Sequence, residues 1–152
     1  MSGKKRVLIL CTGNSCRSQM AEGWVRHDLG DRVEVFSAGT KPSFVHPLSI
    51  RVMAEAGVDI SGHRSKSVTE FAGQPFDLVI TVCDSAREAC PVFPTAARMI
   101  HEPIPDPWSG KGADEAAVPK YREARDLIRE RIVPLVRRVL GLNGTDGGAA
   151  NG

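Results

Sequence analysis

The chain has 152 residues, of which 41% are hydrophobic, and this size and composition suit one domain with one core. Its 20 basic and 18 acidic residues leave a net charge of only +2, which does not favour non-specific binding of nucleic acid. No apolar run approaches the roughly 20 residues of a membrane span, and the N-terminus lacks the apolar stretch of a signal peptide. We therefore expect a cytoplasmic protein with one domain over residues 1–142, and we take it to be a monomer.

The first predicted elements are a strand, a loop and a helix. The apolar run over 7–10 predicts a buried strand, and apolar residues recur at helical spacing from Met20 to Leu29. Between them lies an eight-residue stretch, here called the anion loop, which consists of Cys11, Thr12, Gly13, Asn14, Ser15, Cys16, Arg17 and Ser18.

The residue types of the anion loop indicate its chemistry. Gly13 and Asn14 tolerate the backbone angles that turn successive N–H groups inward, and the following helix points its positive end at the same place. Arg17 offers a planar fork to two oxygens of a tetrahedral anion. A cysteine in this field favours the thiolate, so the loop predicts a Cys11 nucleophile inside a cradle for a bound oxyanion.

The rest of the chain alternates between strand and helix patterns. After the first helix it predicts a strand over 33–38 that ends at Gly39, a helix that begins at Pro47 and ends at Gly57, and at most a short helix near 67–72. A strand over 76–82, a weaker strand over 97–101 and a loop over 102–112 follow. The last predicted elements are a helix over about 115–140, which Pro134 should kink or split, and a disordered Gly-rich tail over 143–152. This alternation predicts an α/β three-layer sandwich with a four-stranded parallel sheet. Ligands of such sheets collect at the carboxyl ends of the strands.

Two further chemical groups follow predicted strand ends. Cys83 comes directly after the strand over 76–82, just as Cys11 follows the first strand. Asp106 lies in the loop after the strand over 97–101, in an Asp-Pro pair that is ordinarily a turn. Parallel strands end at one edge of a sheet, so we expect these residues to converge.

Cys83 and Cys90 form a second cysteine pair that needs its own explanation. Metal-binding cysteines usually lie two to four residues apart, and the spacings here and the scattered histidines do not favour zinc. Redox chemistry is the other explanation. If residues 83–90 are helical, the two Cα atoms lie roughly 10 Å apart. That separation exceeds the ~7 Å limit of a disulfide, so a bond would require the turn to unwind.

The five-residue spacing between Cys11 and Arg17 resembles the phosphate loop of the low-molecular-weight protein tyrosine phosphatase superfamily. Asp106 stands where that superfamily carries its general acid, so the resemblance implies that it protonates the departing oxygen. One interpretation is therefore a phosphatase that hydrolyses phosphotyrosine through a Cys11 phosphoenzyme. Trp108 fits the aromatic residue that commonly follows the acid, although it would serve equally as packing at a loop rim.

The second cysteine pair narrows the resemblance to the thioredoxin-coupled arsenate reductases built on the phosphatase fold. Residues 11–23 look like their loop and first helix, and the match covers residues 6 to about 140. It implies a relay in which Cys11 attacks arsenate bound by the loop and Cys83 then attacks Cys11. Arsenite leaves, Cys90 attacks Cys83, and thioredoxin reduces the resulting disulfide.

The resemblance also implies which partners the chain has. It implies electrons from thioredoxin, no tightly bound cofactor or metal, and phosphate or sulfate as mimics of arsenate. Weak phosphatase turnover would not be surprising, and a mycothiol or glutaredoxin route, which needs only Cys11, stays open. Cys16 matches a family cysteine outside the relay and is interpreted as structural, or as an off-path oxidation partner of Cys11. A non-catalytic oxyanion sensor is a further alternative, but it would need neither Cys11 nor Asp106.

One departure from the family concerns potassium. Some members hold this ion near the loop asparagine, but Arg64 and Lys66 stand where ligand side chains would be, and neither can coordinate a cation. Potassium binding is therefore not expected. One hypothesis is that the ammonium of Lys66 replaces the ion near Asn14, Glu22 or Ser37, and the alternative is a solvated lysine.

Overall fold

A computed structural model describes residues 4–83, 93–107 and 115–142 of the chain. Four strands, three α-helices and two short 3-10 turns make up this part of the chain: β1 (Lys5–Cys11), α1 (Arg17–Leu29), β2 (Val33–Gly39), α2 (Pro47–Glu55), a turn over Val68–Phe71, β3 (Leu78–Thr81), β4 (Met99–His101), a turn over Glu115–Ala117 and α3 (Val118–Val139). The strands form one parallel sheet in the order β2, β1, β3, β4. The predicted α/β class and four-stranded parallel sheet are confirmed.

Strand β1 lies at the centre of the sheet and is buried on both faces. Val7 and Ile9 join the core under the three α-helices, whereas Leu8 and Leu10 point to the opposite face. That second face is covered by the turn over Val68–Phe71 and by aromatic residues that include Phe76 and Phe93. Because both faces are covered, the strand is a continuous apolar run rather than an alternating one.

Helix α3 differs from its prediction at Pro134. It continues as one helix from Val118 to Val139, so the expected split is wrong. Pro134 lies on the exposed side of the helix, as does Glu130, whose carbonyl a proline at this position cannot bond. The buried flanking residues, Val133 and Leu135, pack into the core and hold the helix together across the proline.

Several predicted boundaries shift, and some predictions cannot be placed. Strands β3 and β4 are shorter than the patterns over 76–82 and 97–101, and the short helix predicted near 67–72 is the turn over Val68–Phe71. Cys90, Trp108 and the predicted tail over 143–152 lie outside the described residues. Across the described ranges, no helix is long and apolar enough to cross a membrane.

Candidate active site

The anion loop joins the end of β1 to the start of α1. Cys11 is the last residue of β1, and α1 begins at Arg17. Cys16 occupies the N-cap position, and its side chain makes no capping hydrogen bond. The positive end of α1 is therefore directed at the loop, as expected for an anion site.

The carbonyl groups of the loop are held from outside by residues 40–46, here called the outer segment. Three backbone N–H groups of the outer segment donate to loop carbonyls: Lys41 to Thr12 at 2.9 Å, Ser43 to Gly13 at 3.2 Å and His46 to Ser15 at 3.2 Å. The C=O and N–H of one trans peptide unit point in opposite directions. The N–H groups that follow these carbonyls are therefore turned away from the outer segment, which is the arrangement of an anion-binding nest.

Asn14 fixes the conformation of the loop through both ends of its side chain. Its φ of +48° is in the left-handed region, which few residues other than glycine adopt. Its Nδ2 donates to Ser18 Oγ at 2.8 Å and to Ser37 Oγ at 3.0 Å. Its Oδ1 accepts hydrogen bonds from Gln19 Nε2 and from the backbone N–H of Lys66, each at 2.9 Å. These contacts to three parts of the chain compensate the unusual backbone angle.

Gly39, the last residue of β2, lies directly against the loop. A Cβ atom at this position would be 2.4 Å from the carbonyl oxygen of Thr12 and 2.9 Å from the nitrogen of Asn14. Both are backbone atoms of the loop, so any larger residue would displace it. The sequence marked Gly39 only as a strand end, and the close approach is visible only in the fold.

Arg17 connects the anion loop to the two other groups predicted for the site. Its side chain is only 4% exposed, and its Nη1 donates to the carbonyls of Val82 at 3.3 Å and Ile104 at 3.1 Å. Its Nη2 lies 3.5 Å from Oδ2 of Asp106. Val82 directly precedes Cys83, so one guanidinium group holds the loop, the end of β3 and the segment that carries Asp106 together.

The thiols of Cys11 and Cys83 are both buried at this edge of the sheet. Neither forms a disulfide, and Sγ of Cys83 lies 3.9 Å from Oγ1 of Thr12 in the anion loop. The structure thus brings Cys11, Cys83 and Asp106 together, as their positions after strand ends predicted. In the part of the chain that the structure describes, no cluster of three or more His, Cys, Asp or Glu residues is arranged to hold a metal ion.

The side chain of Cys16 is buried against Tyr121 of α3. Its Sγ lies 3.5 Å from Oη of Tyr121 and donates to Ser15 Oγ at 3.8 Å. Burial raises the pKa of the Cys16 thiol, so it stays protonated and a poor nucleophile at neutral pH. These contacts favour the structural interpretation of Cys16. Tyr121 has the spacing of a core residue in the sequence, and its contact with Cys16 is visible only in the fold.

Lys66 lies against the loop network and not in solvent. Its side chain is 12% exposed, with Nζ 3.7 Å from Oε1 of the buried Glu22 and 3.0 Å from the carbonyl oxygen of Arg64, to which it donates. Ser37 Oγ donates to the same Oε1 of Glu22 at 2.5 Å, which links Lys66 to the residue that holds Asn14. Burial lowers the pKa of Lys66, and Glu22 opposes that shift. The side chain of Arg64, by contrast, is exposed.

Comparisons with known proteins agree with this architecture. A family model described as low molecular weight phosphotyrosine protein phosphatase matches residues 6–141. The arsenate reductase of Halalkalibacterium halodurans is 43% identical over 129 residues, which cover 85% of this chain and 93% of the relative.

Solved structures show the same fold. An arsenate reductase in the phosphate binding state has a TM-score of 0.75 and 32% sequence identity, and the match covers 89% of this chain and 98% of that one. A thioredoxin-dependent arsenate reductase of Corynebacterium glutamicum has a TM-score of 0.69 and 30% identity, covering 93% of this chain and 65% of that chain.

Proposed function

The chain belongs to the low-molecular-weight phosphotyrosine protein phosphatase family, and from this premise we propose that it is an arsenate reductase that takes its electrons from thioredoxin. The observation that favours reduction over hydrolysis is the thiol of Cys83, which lies 3.9 Å from Thr12 of the anion loop. A phosphatase needs one cysteine at this place, whereas a reductase needs a second thiol within reach of the first.

The first step uses the anion loop. Arsenate is a tetrahedral anion, so it fits the backbone N–H groups and the guanidinium of Arg17. The positive end of α1 and Arg17 favour the thiolate of Cys11, which attacks arsenic. A sulfur–arsenic bond forms and an arsenic–oxygen bond breaks. Asp106, whose carboxyl lies 3.5 Å from Arg17, supplies the proton that the departing oxygen needs.

The second step moves electrons. The Cys83 thiolate attacks the sulfur of Cys11, a disulfide forms, and the sulfur–arsenic bond breaks with its electron pair left on arsenic. Arsenic(V) becomes arsenic(III), and arsenite leaves. Cys90 then attacks Cys83 and frees Cys11 as a thiolate. The thiols of reduced thioredoxin regenerate Cys83 and Cys90 by the same exchange, and the role of Cys90 is supported by the sequence resemblance alone.

Hydrolysis of phosphotyrosine is the second candidate, because the matched family model carries the description of a phosphatase. Phosphate and arsenate share shape and charge, so weak phosphatase turnover would accompany reduction.

We also propose that the protein is a monomer in the cytoplasm, where thioredoxin keeps thiols reduced.

Two assays on the wild-type protein separate the candidates. Arsenate-dependent oxidation of NADPH, measured with thioredoxin and thioredoxin reductase, should be readily detected, and replacing thioredoxin by glutaredoxin or mycothiol should reduce it. Hydrolysis of an aryl phosphate should be slow. Aryl phosphate hydrolysis without arsenate reduction would favour the phosphatase instead.

Lys66 should make the enzyme independent of potassium. Its ammonium already lies 3.7 Å from Glu22, behind Asn14, so a bound monovalent cation has no role there. We expect kcat/KM for arsenate to agree within about twofold between sodium and potassium buffers of equal ionic strength. Lys66→Met should lower kcat/KM about tenfold in both buffers, because Oε1 of Glu22, which accepts from Ser37, loses its nearby ammonium, whereas Arg26 pairs with Oε2 at 2.6 Å.

Arg64→Met is the matched control for Lys66→Met. Arg64 stands at the other position predicted to replace a potassium ligand, but its exposed side chain pairs with the exposed Glu70 at 2.7 Å. The activity of the Arg64→Met variant should equal that of the wild type. A strong potassium requirement of the wild-type enzyme would contradict the replacement of the ion by Lys66.

A further inference from the structure

We propose that His46 is a positioning residue of the anion loop, and that it holds Ser15 and Cys16 so that the N–H groups before α1 face a bound oxyanion. The proposal deepens the proposed function and rests on it, because it assumes that the loop binds a tetrahedral oxyanion.

The imidazole of His46 fixes the start of α2. The side chain is fully buried, and its Nδ1 accepts a hydrogen bond from the backbone N–H of Leu48 at 3.1 Å. This contact caps α2, whose first residue is Pro47. An acceptor Nδ1 carries no proton, so a neutral ring has its proton on Nε2. The backbone of His46 is therefore immobilised by its own side chain.

The backbone of His46 contacts the loop on one side and α2 on the other. Its N–H donates to the carbonyl of Ser15 at 3.2 Å, and its carbonyl accepts from the N–H groups of Ser49 at 3.0 Å and Ile50 at 3.2 Å. Ser15 is 4% exposed, so no bulk water competes for its carbonyl. A rotation of His46 would turn the peptide unit that joins Ser15 to Cys16.

The ring of His46 reaches the loop by a second route. It packs on Tyr121 with a centroid distance of 5.0 Å and on Phe44 at 5.9 Å. Oη of Tyr121 in turn lies 3.5 Å from Sγ of Cys16, directly before α1. Backbone and side chain of His46 thus act on two adjacent loop residues, Ser15 and Cys16.

Substitution of His46 should change anion binding in a specific pattern. His46→Ala removes the cap and the ring, so we expect the affinity for phosphate to fall about tenfold. His46→Asn keeps a side-chain oxygen that caps α2 and should bind phosphate within about threefold of the wild type. Glutamine is longer than asparagine and caps helices poorly, so His46→Gln should lose about as much phosphate affinity as His46→Ala. If His46→Ala does not fold, the difference in phosphate affinity between His46→Asn and His46→Gln tests the proposal.

Phosphate affinity measured by isothermal titration calorimetry, with Tm recorded for each protein, tests the proposal. Val133→Ala is the control, since Val133 is a buried residue of α3 that lies about 18 Å along the helix from Tyr121. It should lower Tm and leave phosphate affinity unchanged.

Two results would overturn the positioning role alone: wild-type affinity in His46→Ala or His46→Gln, or an equal loss in Val133→Ala at an equal loss of Tm. Failure of the wild-type protein to bind phosphate or arsenate would instead overturn the proposed function, and the positioning role with it.

Discussion

Replacement of Cys83 by serine should abolish thioredoxin-coupled arsenate reduction, with kcat lowered about a thousandfold or more. A serine hydroxyl cannot form a disulfide with Cys11, so arsenic keeps its bond to the Cys11 sulfur and is not reduced. The effect should be specific, because Cys83 is buried beside the loop and serine differs from it by one atom. The measurement is NADPH oxidation with thioredoxin and thioredoxin reductase at saturating arsenate.

Two controls on Cys83→Ser separate lost chemistry from a damaged loop. Phosphate affinity should equal that of the wild type, since the loop contacts of Asn14 and Arg17 do not involve the sulfur of Cys83. Hydrolysis of an aryl phosphate should persist, because water attacks the phosphorus of a Cys11 phosphoenzyme and Cys83 takes no part in that step. Arsenate reduction within tenfold of the wild-type rate would contradict the role of Cys83 in the relay.

Arg17→Lys should lower kcat/KM for arsenate by about 10² to 10³. Lysine keeps the charge, but a single ammonium group cannot reach the carbonyls of Val82 and Ile104 and also present two N–H groups to the anion. The anion would lose its planar partner, and the segment that carries Asp106 would lose its contact to the loop. Initial rates over a range of arsenate concentrations measure the change.

Arg131→Lys is a matched control for Arg17→Lys. Arg131 donates to the carbonyl of Pro103 at 3.2 Å, next to Ile104, but it does so from the exposed side of α3. An exposed hydrogen bond of this kind contributes little to the stability of the fold, so the activity of Arg131→Lys should stay within about twofold of the wild type. Equal losses of kcat/KM in the two variants would show that any arginine contact to residues 103–104 matters, and that the guanidinium of Arg17 has no special role.

The parts of the site that could be predicted from the sequence are those whose residues are adjacent in the chain. The apolar run before Cys11, the turn residues Gly13 and Asn14, and the basic Arg17 lie within a few positions of one another. Their local preferences agree, so a strand, an anion loop and a helix follow from the sequence. Cys83 could be placed because parallel strands end at one edge of the sheet.

The supports of the loop could not be predicted, because they come from distant residues without a local pattern. Gly39 is required only because the loop backbone passes over β2, and His46 is required only because Ser15 lies across from it. Tyr121 has the spacing of an ordinary core residue on α3. The position of Lys66 depended on whether Glu22 would be buried beside it, which is a property of the packed fold.

The most direct test of the relay is to trap its intermediate in the Cys90→Ser variant. The pre-reduced protein is mixed with excess arsenate, quenched at low pH and mapped under non-reducing conditions by mass spectrometry. We predict a disulfide between Cys11 and Cys83, formed together with about one equivalent of arsenite for each protein molecule. Arsenite formed without this disulfide, or a bond between Cys11 and Cys16 in its place, would contradict the attack of Cys83 on Cys11.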